Sequence, residues 1–220
     1  MKLFIGTPTY DHKICCEYVQ SVLQTIFVLK EAGIETELRF IGGDCFIDHA
    51  RNQIVDLFLK SDCTDLLMID ADQGWNAPDV LAILNRPEPI VAGVVVGREG
   101  VDKYHCNPEI DSNGNAFIVE GLMSVEMVGA AFMRVKRSAL TKMVDAYPDL
   151  SYEEGGNTVP ALFQTRAVSG GYVGEDVFFC KLWRDLGYML WVIPDMAFQH
   201  VGRNRWTGNY AEFLQKNHLN

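Results

Sequence analysis

The alternation of short, wholly apolar runs with segments of helical period constrains this chain most. Lys2-Leu3-Phe4-Ile5 opens it and runs into Gly6-Thr7-Pro8-Thr9-Tyr10-Asp11; Glu35 to Ile41, Leu66 to Ile69 and Ile90 to Val96 repeat the pattern. Runs this short, apolar at successive positions, are what a strand buried on both faces requires. Between them, Ile14 to Ala32 and Phe46 to Leu59 carry apolar residues at helical spacing, and Gly33 stops the first. Ala77 to Leu84 follows as a helix, with Asn76 placed as its N-cap and Asp79 in its first turn. Strands alternating with helices imply right-handed crossovers, hence a mostly parallel sheet with helices on both faces: an α/β fold.

After residue 100 the rhythm changes. The turn signal Asp111-Ser112-Asn113-Gly114-Asn115 predicts a hairpin over Lys103 to Val119. Leu122 to Val135 reads as one or two strands bent at Gly129, and Lys136 to Ala146 as a helix. Asp149 to Gly174, with Gly155-Gly156 and Gly170-Gly171, reads as a long loop, the usual form of a lid or binding segment. Gly174 to Leu186 is a helix, Met189 to Ile193 a strand, and Tyr210 to Lys216 a terminal helix.

The chemistry is concentrated where the third strand ends, at Asp70-Ala71-Asp72. Residues i and i+2 of a strand face one side about 7 Å apart, and open α/β sheets bind ligands at the carboxyl ends of their strands. Two carboxylates aimed at one volume repel unless a cation or a proton lies between them. A divalent metal is the simplest resolution. Neither aspartate is needed as a helix cap, since Asn76 already serves.

The formal net charge of -10 makes the average surface repel phosphates. Strong non-specific binding to duplex DNA is therefore disfavoured, and a nucleotide would need a metal or a local basic group. The 220 residues suit one domain, with 1–100 and 101–220 as its halves. No apolar run reaches the ~18 residues of a membrane span, and the N-terminus starts directly on a strand, so a soluble, cytoplasmic protein is expected. The six cysteines form no C-x-x-C pair and read as buried free thiols of a reducing compartment.

With these pieces placed, the chain resembles the GT-A fold glycosyltransferases, particularly the small enzymes of large viruses and phages. Phe4 to Tyr10, the Asp-x-Asp strand Leu67 to Trp75, Val128-Gly129-Ala130-Ala131-Phe132-Met133 and Gly174-Glu175-Asp176-Val177-Phe178-Phe179 carry the likeness, with Asp48-His49-Ala50-Arg51-Asn52 adding to it. The resemblance implies a Rossmann-like nucleotide-binding half and an acceptor-binding half with a small antiparallel sheet. For a viral enzyme the location would be the host cytoplasm. The implied reaction moves a sugar from a nucleotide-diphosphate sugar, with UDP favoured, to a hydroxyl acceptor, a glycan by default and a hydroxymethylated DNA base as the alternative.

On this resemblance Mn²⁺ or Mg²⁺ would bridge the diphosphate. Asp72 would be the first ligand, Asp70 would bind the metal through water or the ribose, and His200 in Phe198-Gln199-His200-Val201-Gly202 would complete the shell. Thr7, Pro8 and Tyr10 would wall the base and ribose, and Asp44 would hydrogen-bond the base. Arg51 would either fork onto phosphate or pair with a carboxylate, Asp48 or Asp70. Arg203 and Arg205 would close over the diphosphate. Asp176, with Glu175 beside it at a helix N-terminus, would be the general base of an inverting enzyme, or would only position the sugar in a retaining one. Gly129 and Ala130 would leave room for a sugar ring, unless tight packing explains them. Trp75 and Trp206 would stack on sugars or belong to the core. Two other classes compete. Sugar nucleotidyltransferases usually open with a Gly-rich basic loop that Gly6-Thr7-Pro8-Thr9-Tyr10-Asp11 lacks. A non-catalytic nucleotide-sugar binder would keep the site without turnover. The oligomeric state is left open.

Overall fold

The computed structural model describes residues 1–98, 103–168, 170–202 and 204–217. The first half alternates as expected: β1 (Lys2–Thr9), α1 (Cys16–Glu31), β2 (Glu35–Gly42), α2 (Ile47–Lys60) and β3 (Asp65–Ile69), then a short β4 (Gln73–Trp75), α3 (Ala77–Leu84) and β5 (Ile90–Gly93). The chain continues through β6 (Cys106–Pro108), β7 (Ile118–Val119), β8 (Leu122–Val128), β9 (Phe132–Lys136) and α4 (Arg137–Ala146). Two hairpins follow, β10 (Ser151–Glu154) with β11 (Asn157–Pro160) and β12 (Arg166–Val168) with β13 (Gly171–Val173). The last elements are α5 (Glu175–Asp185), β14 (Leu190–Ile193), β15 (Ala197–Val201), β16 (Arg205–Asn209) and α6 (Tyr210–Lys216).

The main sheet has the order β2-β1-β3-β9-β5-β14-β8-β6, with β7 also paired to β8. Only β8 and β9 run against the other strands, so the sheet is mostly parallel in direction although these two interrupt the parallel pairing. Successive residues of its central strands enter different cores. Phe4, Leu66 and Met68 pack with Ile54 and Phe58 of α2, whereas Leu3, Ile5, Leu67 and Ile69 pack with Tyr18 and Val22 of α1 and Val80 of α3. That explains the unbroken apolar runs, since the period-2 alternation has helices on both sides to satisfy. Each such fully buried side chain stabilises the fold by roughly 1.5–3 kcal/mol.

Several expectations need correction. Lys103 to Val119 is not a hairpin of two paired strands: its turn closes through a bridge from Ile110 to Ala116, but β6 and β7 both pair with β8. The third strand, β8, is the longer and more buried partner, and it takes both flanks. The strand expected over Ile90 to Val96 stops at Gly93, where the chain leaves the sheet toward the site. The long loop expected over 149–174 contains both small hairpins, whose turns are the glycine pairs that suggested a loop; Gly155, Gly156 and Gly170 all have positive φ. A second, three-stranded sheet, β16-β15-β4, also went unforeseen. It is antiparallel throughout and holds the segment after Asp72 against the segment bearing His200. The cysteines are free, but burial holds only for Cys63, Cys106 and Cys180: Cys15 is half-buried, and Cys16 and Cys45 are exposed, against the expectation that the thiols are buried.

Candidate functional site

The strand β3 ends at Ile69, so Asp70 and Asp72 do not share a strand face. They share a turn: Asp70 accepts from the Gln73 N–H (3.2 Å), and its own N–H donates to the Ala131 carbonyl (3.1 Å). The Val201 N–H donates to the Asp72 carbonyl (2.8 Å), which ties the turn to β15. The expected convergence on one cleft is met, by the turn and the small sheet rather than by strand alternation.

Two adjoining cavities meet at this turn. One, about 700 Å³, is walled by Pro8, Thr9, Tyr10, Asp44 and Cys15. The other, about 400 Å³, is lined by His105, Gly129, Ala130, Glu175, Asp176 and His200. Ile47, Asp70, Asp72 and Arg98 line both. A larger groove of about 910 Å³ lies at the other end of β3, around Thr64 and Asp65. Its cations are already committed: Arg137 to the carbonyls of Phe58, Leu59, Ser61 and Cys63, Lys136 to that of Pro87, and Lys142 to the Tyr188 hydroxyl.

Around the smaller cavity the charges do not balance. Among the described residues that line it, Asp70, Asp72, Glu175 and Asp176 face two guanidiniums, Arg51 and Arg98. Arg51 is 4% exposed and reaches Asp70 through Nη2 (3.0 and 3.2 Å) and Glu175 through Nη1. Burial opposes its charge, but the attraction of Asp70 and Glu175 prevails and raises its pKa. The Glu175 carboxyl is pushed up, chiefly by burial; Arg51 pulls it back, and Asp176 and Asp70 add to the rise. One arginine serving several carboxylates leaves a deficit that a cation would fill. Asp176 accepts from the Val177 N–H (2.7 Å), and among the described residues it has no ion-pair partner.

His200 is held in one orientation on the wall of the smaller cavity. Its Nδ1–H donates to the Val96 carbonyl (2.7 Å), a hydrogen bond that fixes the tautomer and aims the Nε2 lone pair at the cavity. There Nε2 lies 3.4 Å from Asp72 Oδ2 and accepts from Arg98 Nε at 3.0 Å. Burial lowers the His200 pKa, favouring the neutral ring that a metal needs. Arg98 also forms an ion pair with Asp72, so its guanidinium is the positive charge between the two groups. The donor set, one imidazole and one carboxylate with a charge deficit around them, fits a divalent ion with hard-ligand preference such as Mn²⁺ or Mg²⁺. Asp70 is already engaged here, since both of its oxygens accept from Arg51. The one group of three potential ligands converging within 4.8 Å among the described residues is Glu37, Asp62 and Cys63, away from this site.

Other expected residues divide cleanly. Pro8, Tyr10 and Asp44 do line the larger cavity, and Tyr10 is 74% exposed there. Thr7 does not: it is fully buried, and its hydroxyl bonds that of Tyr18 (2.6 Å) under α1. Thr9 is the wall residue instead. Arg51 is a pocket-shaping ion-pair partner rather than an exposed phosphate fork. Arg205 turns away to Glu17 on α1 (2.6 Å). Arg203 lies outside the described residues. Trp75 is core, 5% exposed with Nε1 bonded to Thr25 (2.9 Å), while half-buried Trp206 sits edge-on to His200 at 6.5 Å. The packing explanation fails for Gly129: a Cβ there would meet nothing closer than Asp176 Oδ2 at 3.6 Å, so the room belongs to the cavity.

Sequence reasoning missed Arg98 and His105. Arg98 had one visible signal, as a cation two residues after the apolar run Ile90 to Val96. His49 also emerges, bonded through Nδ1 to Asp44 and through Nε2 to Glu154 (3.1 Å), so that it clamps the β10–β11 hairpin to the larger cavity. Its pKa is raised, first by Asp44.

The buried Arg51 pairs yield a stability prediction. Arg51→Met keeps the bulk but leaves Asp70 and Glu175 without their shared counter-charge, and should cost about 3 kcal/mol of unfolding free energy at pH 7. Denaturant melts check it; a loss below about 1 kcal/mol would mean that water reaches the carboxylates freely. The cost should shrink as the pH falls, because Glu175, whose pKa burial raises, becomes protonated and no longer needs the counter-charge.

No protein-family model matches the chain, and no curated protein does. Among solved structures it is similar to A197 from STIV, with a TM-score of 0.56, 17% identity and 95% of each chain covered. A mutant β-1,4-galactosyltransferase 7 from Drosophila, in complex with manganese, UDP-Gal and xylobiose, matches at a TM-score of 0.46 and 15% identity over 86% of this chain. TarS from S. aureus in complex with UDP-GlcNAc matches at 0.48 and 12% identity over 95% of this chain. The chain spans 63% and 59% of the latter two structures. At such identities the likeness is one of fold.

Proposed function

We propose that this chain, whose architecture is of the GT-A type, is a metal-dependent glycosyltransferase that moves a sugar from a nucleotide-diphosphate sugar to a hydroxyl acceptor. The observation that carries the reading is the meeting of two cavities at Asp72 and Arg98. A nucleotide sugar has the same plan: a flat nucleoside, a doubly charged diphosphate and a sugar. The larger cavity suits the nucleoside, with Tyr10 free to stack on the base and Asp44 as an acceptor for a base N–H. The diphosphate lies at the shared wall, and the sugar enters the smaller cavity beside Gly129.

Asp72 and His200 would hold the ion, which when bound neutralises the negative charge growing on the leaving diphosphate. Arg98 gives up Asp72 to the ion and keeps its own charge beside the phosphates. Asp176 takes the acceptor hydroxyl proton while the acceptor oxygen bonds to the anomeric carbon and the bond from that carbon to the phosphate oxygen breaks. Arg51 keeps Asp70 and Glu175 fixed around this event. A glycan is the favoured acceptor, because the acidic chain repels the phosphates of duplex DNA.

The test is to follow nucleoside diphosphate release from a panel of UDP- and GDP-sugars, with and without Mn²⁺, offering glycan and hydroxymethylated DNA acceptors. Mn²⁺-dependent release from at least one donor is expected. UDP binding with no release from any donor would make the protein a non-catalytic nucleotide-sugar binder instead.

A further inference from the structure

The two edges of the main sheet are built differently. The β6 edge is three residues long, contains Pro108 and has a register shift between Asn107 and Pro108. These are the usual means of keeping an edge from pairing with another chain. The β2 edge has none of them. It is eight residues long, contains no proline, and stays in unbroken parallel register with β1 from Glu35 to Gly42. Among the described residues, no strand lies beside its outer hydrogen-bonding groups.

From this asymmetry we propose that the β2 edge is a homodimer interface, in which two copies of the chain pair their β2 strands antiparallel about a two-fold axis at Leu38. The charges select that register. In a two-fold pair, outward-facing residues must meet outward-facing residues, so the axis passes through a residue rather than between two. An axis at Glu37 would set Glu37 against its own copy, and an axis at Arg39 would set Arg39 against its own. An axis at Leu38 sets Glu37 opposite Arg39 of the second copy, twice by symmetry, and Leu38 opposite Leu38. Within one chain the same two groups already form an ion pair of 2.7 Å, in which Arg39 remains 54% exposed.

The helix above this edge carries a matching apolar flank. Val19, Leu23 and Phe27, spaced at i, i+4 and i+8 on α1, are 37%, 52% and 69% exposed. Phe40 of β2 is 43% exposed and its ring lies 6.1 Å from that of Tyr18 at the start of the flank. Leu38 is half-buried against the core under α1. Pairing two β2 strands brings Leu38 and Phe40 of both copies to one side of the joined sheet, where α1 lies. Because the strands run antiparallel, the two clefts at their carboxyl ends open in opposite directions and neither is covered.

Sedimentation equilibrium and light scattering of the full chain should give twice the 24.7 kDa chain mass. Glu37→Arg and Arg39→Glu, made singly, each place like charges opposite one another and should weaken the dimer by at least about tenfold. The double variant Glu37→Arg/Arg39→Glu restores opposite charges and should restore the dimer. Leu23→Asp should weaken it as well. Thermal melts of each variant establish that it is folded, and Arg39→Glu serves where Glu37→Arg disturbs the nearby Lys2 (4.0 Å). A monomeric wild-type chain overturns the interface. A folded double variant that stays monomeric overturns the register. Neither result bears on nucleotide-sugar turnover, which is assayed separately.

Discussion

Replacing Asp72 with alanine is expected to lower sugar transfer by about 10⁴-fold while leaving the fold intact. The side chain lies on a turn; without it exposed Arg98 reaches solvent and His200 keeps its bond to the Val96 carbonyl, while the buried Gln73 amide loses the acceptor it has among the described residues. The turn itself is held by backbone bonds from Gln73 and Val201, which alanine retains. The unpaired Gln73 amide should cost about 1–3 kcal/mol, so the variant is expected to fold with a melting temperature lowered by several degrees. The electrostatic loss is large. Of the two proposed ligands His200 alone would remain to hold a divalent ion beside the diphosphate, and an ion's contribution to a developing phosphate charge is several kcal/mol, or about 5.5 kcal/mol for a 10⁴-fold effect. Calorimetric titration of UDP with and without Mn²⁺ separates binding from chemistry. In the wild type Mn²⁺ should tighten UDP; in Asp72→Ala the two titrations should coincide. If Mn²⁺ still tightens UDP in the variant, the ligand is another group. Asp70→Ala is the informative control: because Arg51 holds both Asp70 oxygens, its loss should disturb packing more than Mn²⁺ affinity.

The same contrast between Asp70 and Asp72 bears on what the sequence could reveal. Leu66 to Ile69 could be read as a buried strand because helices cover both sheet faces and every position is apolar, a signal that needs no tertiary information. Asp70 and Asp72 could be placed at a site by the rule that strand ends carry ligands. Their individual duties could not be read, because what separates them is Arg51, 19 residues earlier in the chain on α2. The small sheet β16-β15-β4 was illegible for a related reason. Its strands are short and mixed in polarity, Gln73-Gly74-Trp75 and Arg205-Trp206-Thr207-Gly208-Asn209, and only the partner strand between them makes them extended. Thr7 shows the limit at single residues. On a strand buried on both faces, the sequence does not say which hydroxyl meets the cleft, and Tyr18 takes Thr7 while Thr9 goes to the wall.

Asp176→Asn, in contrast, should leave donor binding near the wild-type value and lower the transfer rate by about 10³-fold, within the usual range for loss of a general base. The two acidic residues at the start of α5 look interchangeable in sequence, and the structure separates them by their partners. Glu175 is committed to the buried Arg51, whereas among the described residues Asp176 bonds the Val177 N–H and has no ion pair, and it lies at the cavity edge by Gly129. Asparagine can accept the same N–H with its amide oxygen, so the helix start survives, with about 0.5 kcal/mol lost where the helix dipole favoured an anion. What asparagine cannot do is remove a proton. The expected signature is therefore a fall in kcat with the UDP-sugar dissociation constant within about twofold of wild type. A base on the acceptor side also requires that the new bond form on the face opposite the leaving diphosphate, so the product should have inverted anomeric configuration, readable by NMR of the first turnover. Full activity in Asp176→Asn, or a product that retains the donor's configuration, would remove Asp176 from the base role and leave it as a group that orients the sugar.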